Sequence, residues 1–421
     1  MKACFFKLTP GAFVCLISVT VGFTGWAESV KAKELYIQPS INIQTEYDSN
    51  KRLKTDGSTP GIDPSSYGLI SKVGAKIGAR SDDYEVALNN QFIDNRYISD
   101  LDLNSENFKL DLSSNYAFNE RSQFELNGNY TYDTTLTSAL TGTGSGIVQN
   151  NLRRKLWTIT PTWNYTLSDT QTIQASYTHT DVQYAKSNIG SFSNYTVDNV
   201  SASFQQQWTP RLSNFLSLTG MSFKVPATGN GLIKTSRDIT QYSISLGMNY
   251  QILPTWSASF SGGSRFNNTK QTLRIENTAF EQTTSTDVQG LIFSVTVDKT
   301  FEAGNANISF SRSTNPQGQG QLQVRDNLVA SINHKFSQRL QLSVRGSLND
   351  ISISGNSQSS RARTYYNISP SIRWLVDKQA SLTLGYRYRA QSFKRNNNSA
   401  VSNSVSLNFN YQWDKLITQR Y

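Results

Sequence analysis

One short unit recurs along almost the whole sequence: a segment of alternating apolar and polar residues, a tight polar turn, a second alternating segment and a longer polar loop. In residues 157–167 every odd position is apolar or aromatic, and every even position is small and polar. Successive side chains of a β-strand point to opposite faces, so each such segment would have one apolar and one polar face. The same alternation is found at 108–118, 124–132, 242–250, 368–374, 382–388 and 405–413.

The positions of the aromatic residues separate two fold classes that share this alternation. A soluble β-sandwich also alternates, but here Tyr and Trp lie near the ends of the apolar rows, where membrane-interface girdles are found. Examples are Tyr130, Tyr132, Tyr165, Trp208, Tyr250, Trp256, Trp374, Tyr411 and Trp413. We therefore predict an all-β fold, a transmembrane antiparallel up-and-down β-barrel, in the outer membrane of a Gram-negative cell.

The N-terminal residues have the features of an export signal. Lys2 and Lys7 form a charged region, residues 8–23 are mainly apolar, and 25–27 offer a small-residue cleavage site. Both cysteines, Cys4 and Cys15, fall within this segment, so the mature chain would have no disulfide. The predicted organisation is a cleaved signal peptide (1–27), a short periplasmic segment (28–34), the barrel (35–413) and a tail or end of the last strand (414–421).

The turns predict the number of strands. Eight short polar turns, which we place on the periplasmic side, recur roughly every 40 residues, as expected for one hairpin plus one long loop. With nine longer outer loops they give 18 strands, from 35–47 to 401–413, and 16–18 are compatible with the pattern. A barrel of this size encloses an aqueous channel unless a loop folds inward. The Gly-rich loop 134–152 is the first candidate for such a constriction and 268–284 the second; a solvated surface loop is the alternative for both.

The polar faces of the predicted strands carry an excess of positive charge. A wall of arginines would attract anions and could pair in bidentate fashion with carboxylate, phosphate or sulfate. The alternative is that these arginines pair with inward acids, namely Glu46, Glu85, Asp111, Glu125, Asp133 and Asp298. The predicted basic ladder comprises Arg325, Lys335, Arg345, Arg361, Arg363, Arg373, Arg387 and Arg389, and the other inward basic residues include Lys72, Lys76, Lys109, Arg154 and Arg265.

The sequence contains little that resembles an enzyme active site. His179 and His334 are the only histidines, neither has a nucleophile motif beside it, and no metal-ligand cluster is apparent. We expect no catalytic residue, no metal and no cofactor. Nucleic acid is excluded as a partner despite the net charge of +10, because export and membrane strands would place that charge inside a pore.

Three features together resemble a known family: an opening strand at 36–41 that leads into Glu46-Tyr47-Asp48-Ser49-Asn50, the turns at 118–122 and 167–170, and the hairpin spacing. Over nearly the whole mature chain, the sequence is similar to the β-barrel porins of bacterial exopolysaccharide clusters. The resemblance implies an outer-membrane conduit for a secreted polysaccharide, supplied by inner-membrane and periplasmic export machinery. It does not indicate whether the barrel is a monomer or a trimer.

Three functions remain open from the sequence. The first is a basic, water-filled conduit for an exopolysaccharide, for which an acidic polymer and stacking on Tyr365 and Phe92 would be suited. The second is an anion-preferring diffusion porin for small solutes. The third is a structural or adhesive barrel that acts through its surface loops, although these loops lack a cluster of Trp, Tyr and Arg.

Overall fold

The structure is a computed structural model that describes residues 34–55, 64–135, 151–185, 192–229, 232–318, 320–354, 362–394 and 398–420. Within these residues the chain forms antiparallel β-strands and one 3-10 turn, Leu101–Leu103. The strands are β1 Glu34–Asp48, β2 Ser66–Arg80, β3 Tyr84–Tyr97, β4 Ser105–Asn119, β5 Ser122–Thr134, β6 Arg153–Ser168, β7 Gln171–Tyr184, β8 Tyr195–Thr209, β9 Leu212–Thr228, β10 Ile233–Leu253, β11 Trp256–Ile275, β12 Glu281–Phe301, β13 Gly304–Gln317, β14 Gln321–Lys335, β15 Leu340–Ile353, β16 Arg363–Leu375, β17 Ala380–Phe393, β18 Ser399–Gln412 and β19 Leu416–Arg420.

The strands close into one barrel. Each strand pairs with the next along the chain, and β1 pairs with β18 from Ser40↔Gln412 to Asp48↔Ser404. The short β19 continues the last strand, because it pairs with the beginning of β1 through Ile37↔Leu416. β18 and β19 therefore act as one interrupted strand, which gives the predicted closed barrel of 18 strands. The chain end 414–421, expected to be either tail or strand, is strand over Leu416–Arg420.

The eight predicted short turns all lie at one end of the barrel. The eight predicted short turns join β2 to β3, β4 to β5 and so on to β16–β17, and in an outer membrane this end faces the periplasm. At the other end predicted loops are partly strand: 225–236 and 268–284 are occupied largely by extensions of β9 to β12, and the first half of 315–320 is the end of β13. These stretches are polar, but β-pairing outside the membrane requires backbone hydrogen bonds and not an apolar face, so hydropathy alone underestimated the strand lengths.

The two faces of the wall differ as the alternation predicted. Large apolar side chains such as Leu246, Leu384 and Val405 are exposed on the outside, where lipid would cover them. The inner face carries Ser, Thr, Asn, Gln and charged residues, for example Asn42, Gln44 and Asn408. No helix within the described residues is long and apolar enough to cross a membrane.

The alternation predicts opposite effects for charges at adjacent residues of β17. Leu384→Arg would place a guanidinium on the outer face, where a charge costs roughly 2–4 kcal/mol at mid-membrane. Thr383→Arg, the matched control, points into the cavity beside Arg373 and should leave assembly intact. The measurement is the fraction of heat-modifiable, folded barrel in outer membranes. Equal assembly of the two variants would contradict the face assignment.

Candidate functional site

The strand register places the described basic residues of the predicted set on the inner face. Ladder partners share a face, and residues two apart along a strand share it too. Arg361 lies outside the described residues. The placed residues are Lys72, Lys76, Lys109, Arg154, Arg265, Arg325, Lys335, Arg345, Arg363, Arg373, Arg387 and Arg389.

Three of these arginines, Arg345, Arg373 and Arg387, share one water-accessible cavity of about 610 Å³ and are hereafter called the arginine triad. Arg345 pairs with Ser369 on β16, and Arg387 lies on β17, the next strand. Arg345 and Arg387 are thus two strands apart, roughly 10 Å between backbones. The remaining lining is mainly hydroxyl and amide groups, including Ser343, Ser371, Ser381, Thr383, Ser404, Ser406, Asn42, Gln44, Asn408 and Asn410.

The triad is not neutralised by ion pairing. All three side chains are exposed, and within the described residues none forms an ion pair with a carboxylate. The carboxylate that lines the same cavity, Glu46, is buried and already binds Lys51 and the hydroxyl of Tyr97. The triad can therefore offer three guanidinium groups to an anion in the lumen, and the alternative that these arginines pair with lumen acids does not apply to it.

The predicted ladder divides into two levels. Arg389 is 1 % exposed and does not face open water. Its Nη2 donates to Asp48 Oδ2 at 2.7 Å and to Ser402 Oγ at 2.9 Å, and Ser402 donates to Asp48 Oδ1 at 2.6 Å. Arg363 is fully buried, and its guanidinium nitrogens have no hydrogen-bond partner within the described residues. The prediction that all these residues form one exposed basic ladder was therefore wrong: other parts of the chain cover Arg363 and Arg389 in the outer half of the lumen.

Part of that cover is the loop after β1, described over residues 49–55, which folds into the lumen. Leu53 is 2 % exposed and packs against Tyr365 and Ala400, and its carbonyl accepts a hydrogen bond from Gln391 at 2.8 Å. Its φ of 51° costs about 1–2 kcal/mol. Burial of a leucine side chain contributes about 1.5–3 kcal/mol, which offsets that cost.

Charged contacts hold the same loop in place. Lys51 binds Glu46, and burial lowers the pKa of the Lys51 ammonium group although Glu46 and Asp48 partly oppose this shift. Arg52 forms a two-pronged contact with Asp100 in the second outer loop, with its Nε at 2.7 Å and its Nη2 at 2.9 Å from the carboxylate. The loop is therefore fixed at its base by Asp48 and at its tip by a neighbouring loop.

The other part of the cover is the tip of the β13–β14 hairpin, residues 313–318 and 320–323, hereafter called the inner hairpin. Gly318 accepts a hydrogen bond from the Ser193 amide at 2.7 Å, and Gly320 accepts one from Arg237 Nη1 at 2.6 Å. Both contacts reach elements two or more strands away, so this tip lies across the lumen. Loop 134–152 is described only at its ends, and 268–284 is strand and tight turn.

The two candidate stacking aromatics are not available to a polymer in this state. Phe92 pairs with Val73 and Phe108, which share the outer face with the exposed Tyr67, so its assignment to the lumen was wrong. Glu85, an odd position of β3, was assigned inward, and Phe92 is an even position of the same strand; the weak alternation of β3 hid this inconsistency. Tyr365 does face inward, but Leu53 covers it.

The other inward basic residues lie apart from the triad. Arg154 binds Asp133 in bidentate geometry at 2.9 and 2.8 Å, so for this residue the predicted alternative of pairing with a lumen acid holds. Arg265 is 4 % exposed beside Gly290. Lys72, Lys76 and Lys109 lie on β2 and β4, away from the triad strands.

The two histidines lie on separate strands and on the outer face. His179 Nδ1 is 2.7 Å from Asp198, which also accepts a hydrogen bond from the Tyr177 hydroxyl. His334 packs against Phe301 and Phe336. Among the described residues, no group of three or more His, Cys, Asp or Glu could hold a metal ion.

The buried ion pair beneath loop 49–55 yields a prediction. Asp48→Ala would leave Arg389 buried without its carboxylate, which typically costs about 3–5 kcal/mol. We expect a lower free energy of unfolding in urea and faster tryptic cleavage after Lys51, Arg52 and Lys54. Asp350→Ala, which breaks the half-exposed Lys394–Asp350 pair, should cost at most about 1 kcal/mol. Similar losses in both variants would contradict the anchoring role.

Comparisons with known proteins identify the fold. The sequence matches no protein-family model and no curated protein. The structure is similar to the ferric citrate transporter FecA in the unliganded form, with a TM-score of 0.51 and 9% identity over 91% of this chain and 79% of FecA. It also matches the outer membrane channel DcaP of Acinetobacter baumannii (TM-score 0.44, 11% identity, 90% and 97% coverage) and OccAB2 of the same organism (0.46, 10%, 91% and 98%).

At 9% identity the similarity to FecA concerns the fold alone. The closed wall of 18 strands, the apolar outer face and this fold similarity together establish the chain as an outer-membrane β-barrel.

Proposed function

We propose that this barrel is an outer-membrane conduit for an acidic exopolysaccharide. The observation that carries the proposal is the arginine triad: three guanidinium groups on one wall of a polar cavity, without a carboxylate partner among the described residues. Guanidinium groups bind carboxylate and sulfate in bidentate geometry, and a lumen of one charge sign concentrates ions of the opposite sign. Anions should therefore enter in preference to cations.

The cavity lining supports a sugar polymer as the anion. Hydroxyl and amide side chains surround the triad on β15 to β18 and β1, and both groups can donate and accept hydrogen bonds. A polysaccharide presents many hydroxyls that could exchange these bonds as it advances. The sequence resemblance to porins of exopolysaccharide clusters supports the same cargo. Inner-membrane and periplasmic export machinery would supply the polymer, and outer-membrane lipid would surround the barrel.

A second function is favoured by a different observation. Loop 49–55 and the inner hairpin cover the outer half of the lumen, and a covered lumen suits small solutes better than a polymer. An anion-preferring diffusion porin would use the same triad. The two functions differ in whether the cover must move.

Charge reversal tests the triad. Arg373→Glu with Arg387→Glu changes the wall by four charge units and should move the reversal potential in a salt gradient from anion towards cation preference. The neutral pair Arg373→Gln with Arg387→Gln, the matched control, should move it about half as far. Salt should weaken both shifts, because screening acts over about 10 Å at 0.1 M. An unchanged reversal potential would show that the triad does not line the path of the ions.

Gene deletion separates the two cargoes. If the conduit exports a polymer, a deletion strain should lose surface polysaccharide and retain uptake of small anions. Complementation with the wild-type chain should restore the polymer, and the Arg373→Glu, Arg387→Glu chain should not, because its wall would repel an acidic polymer. Normal polysaccharide with impaired uptake of small anions would instead establish the diffusion porin.

A further inference from the structure

The barrel wall is closed, but the outer parts of β12 and β13 are not paired with each other. β12 pairs with β11 along nearly its whole length, from Arg274↔Glu281 to Trp256↔Lys299. Its other edge pairs with β13 only from Phe293↔Arg312 to Phe301↔Gly304. Within the described residues no strand pairs with the edge from Glu281 to Ile292. This edge therefore presents free backbone donors and acceptors, which would accept another strand.

The segment that would continue the seam is the inner hairpin. Residues Ser313 to Gln317 of β13 pair with β14, through Ser313↔Arg325 to Gln317↔Gln321, and they lack a partner on β12. The hairpin is paired within itself but is not paired with β12 in the wall. Its tip is held across the lumen by the Ser193 amide and by Arg237.

An apolar cluster receives the hairpin inside an otherwise polar lumen. Leu322 is 3 % exposed and packs with side chains of β9 and β10. Burial of these apolar groups favours the inward position. The end of β15 is bonded to the hairpin, because the Ser354 amide donates to Leu322 O at 2.8 Å, and Asn267 Nδ2 on β11 donates to Ser354 Oγ at 3.4 Å. The cluster consists of Met221, Phe223, Val225, Ile239 and Leu322.

The inward position also carries costs. It leaves the β12 edge unpaired, and Arg265, two residues from Asn267 on the same inner face, is 4 % exposed with no hydrogen-bond partner for its Nε and Nη1 in the described part of the chain. Buried polar groups without partners are unfavourable. Favourable and unfavourable contributions thus oppose each other, which is the condition for two accessible positions.

We propose that the inner hairpin is a gate that alternates between the apolar cluster and the free edge of β12. In the second position the present register simply continues, from Ile292 opposite Ser313 to Val288 opposite Gln317, and keeps these last two residues on the inner face. Moving the hairpin into the wall extends the ladder by these five pairs and removes one of the two parts of the cover. The proposal rests on the proposed function as a conduit, for which it supplies the movement that passage of a polymer requires.

Paired cysteines trap the two positions in the full-length barrel. Asn267→Cys with Ser354→Cys should form a disulfide in the inward position, and Val288→Cys with Gln317→Cys should form one only when the hairpin joins β12. Val297→Cys with Ile308→Cys, partners in the existing ladder, is the control that both positions permit. Gel mobility before and after reduction measures each cross-link, whatever solute the barrel conducts.

The expected result is that both gate pairs cross-link in the reconstituted barrel. Conductance should fall with the Asn267–Ser354 cross-link, rise with the Val288–Gln317 cross-link, and return to the starting value after reduction. Absence of the Val288–Gln317 cross-link while the control pair reacts would overturn the gate. So would dimers of the Val288→Cys single variant, because the free edge would then bind a second copy.

Arg237 supplies a second test, which measures the ratio of the two cross-links and not the presence or absence of one of them. Arg237→Ala removes the contact to Gly320 O and should raise the ratio of Val288–Gln317 to Asn267–Ser354 cross-links roughly tenfold, the shift that loss of a 1.4 kcal/mol contact produces. Lys109→Ala removes one lumen charge without touching the hairpin and should leave the ratio unchanged. If the wild-type barrel forms both cross-links and Arg237→Ala shifts their ratio as expected, but the barrel conducts no anions, the conduit is refuted and the gate is retained. Equal ratios in the two variants would overturn the gate.

Discussion

Backbone hydrogen bonding between β1 and the end of the chain is the constraint on which the rest of the structure depends. In a bilayer each unpaired backbone group is costly, so a sheet can cross only when its first and last strands meet. Here β1 pairs with β2 on one side and with β18 and β19 on the other. Once the wall is closed, the alternation along each strand fixes the direction of every side chain. The apolar rows face lipid, and the hydroxyls, amides and arginines face the lumen.

The predictable part of the fold followed from this alternation and from the turns. The strand number, the closure and the inward position of Arg345, Arg373 and Arg387 all depend on a period of two, which a single sequence displays. Phe92 shows where the signal fails. In β3 polar and apolar residues alternate weakly, and only the ladder with Val73 and Phe108 fixes its outward direction.

The cover over the lumen could not be predicted in the same way, because it depends on contacts between residues far apart in sequence. Asp48 meets Arg389, and Leu53 meets Tyr365, only after the barrel has closed. Leu53, an apolar residue in a polar loop, was a signal that the sequence did contain. Hydropathy likewise could not distinguish a strand in the wall from one that leaves it, so the inner hairpin was read as a loop at 315–320.

The arginines therefore differ in physical role although they share a face. The triad remains hydrated, so its charge is available to a solute and costs little to maintain. Arg389 is desolvated, and its attraction to Asp48 in a low-dielectric setting compensates for that loss only while the geometry of Asp48 and Ser402 is kept. The first group suits selection of anions, and the second suits attachment of a loop. Because β17 carries Arg387 and Arg389 two residues apart, the same strand joins the selective wall to the cover above it.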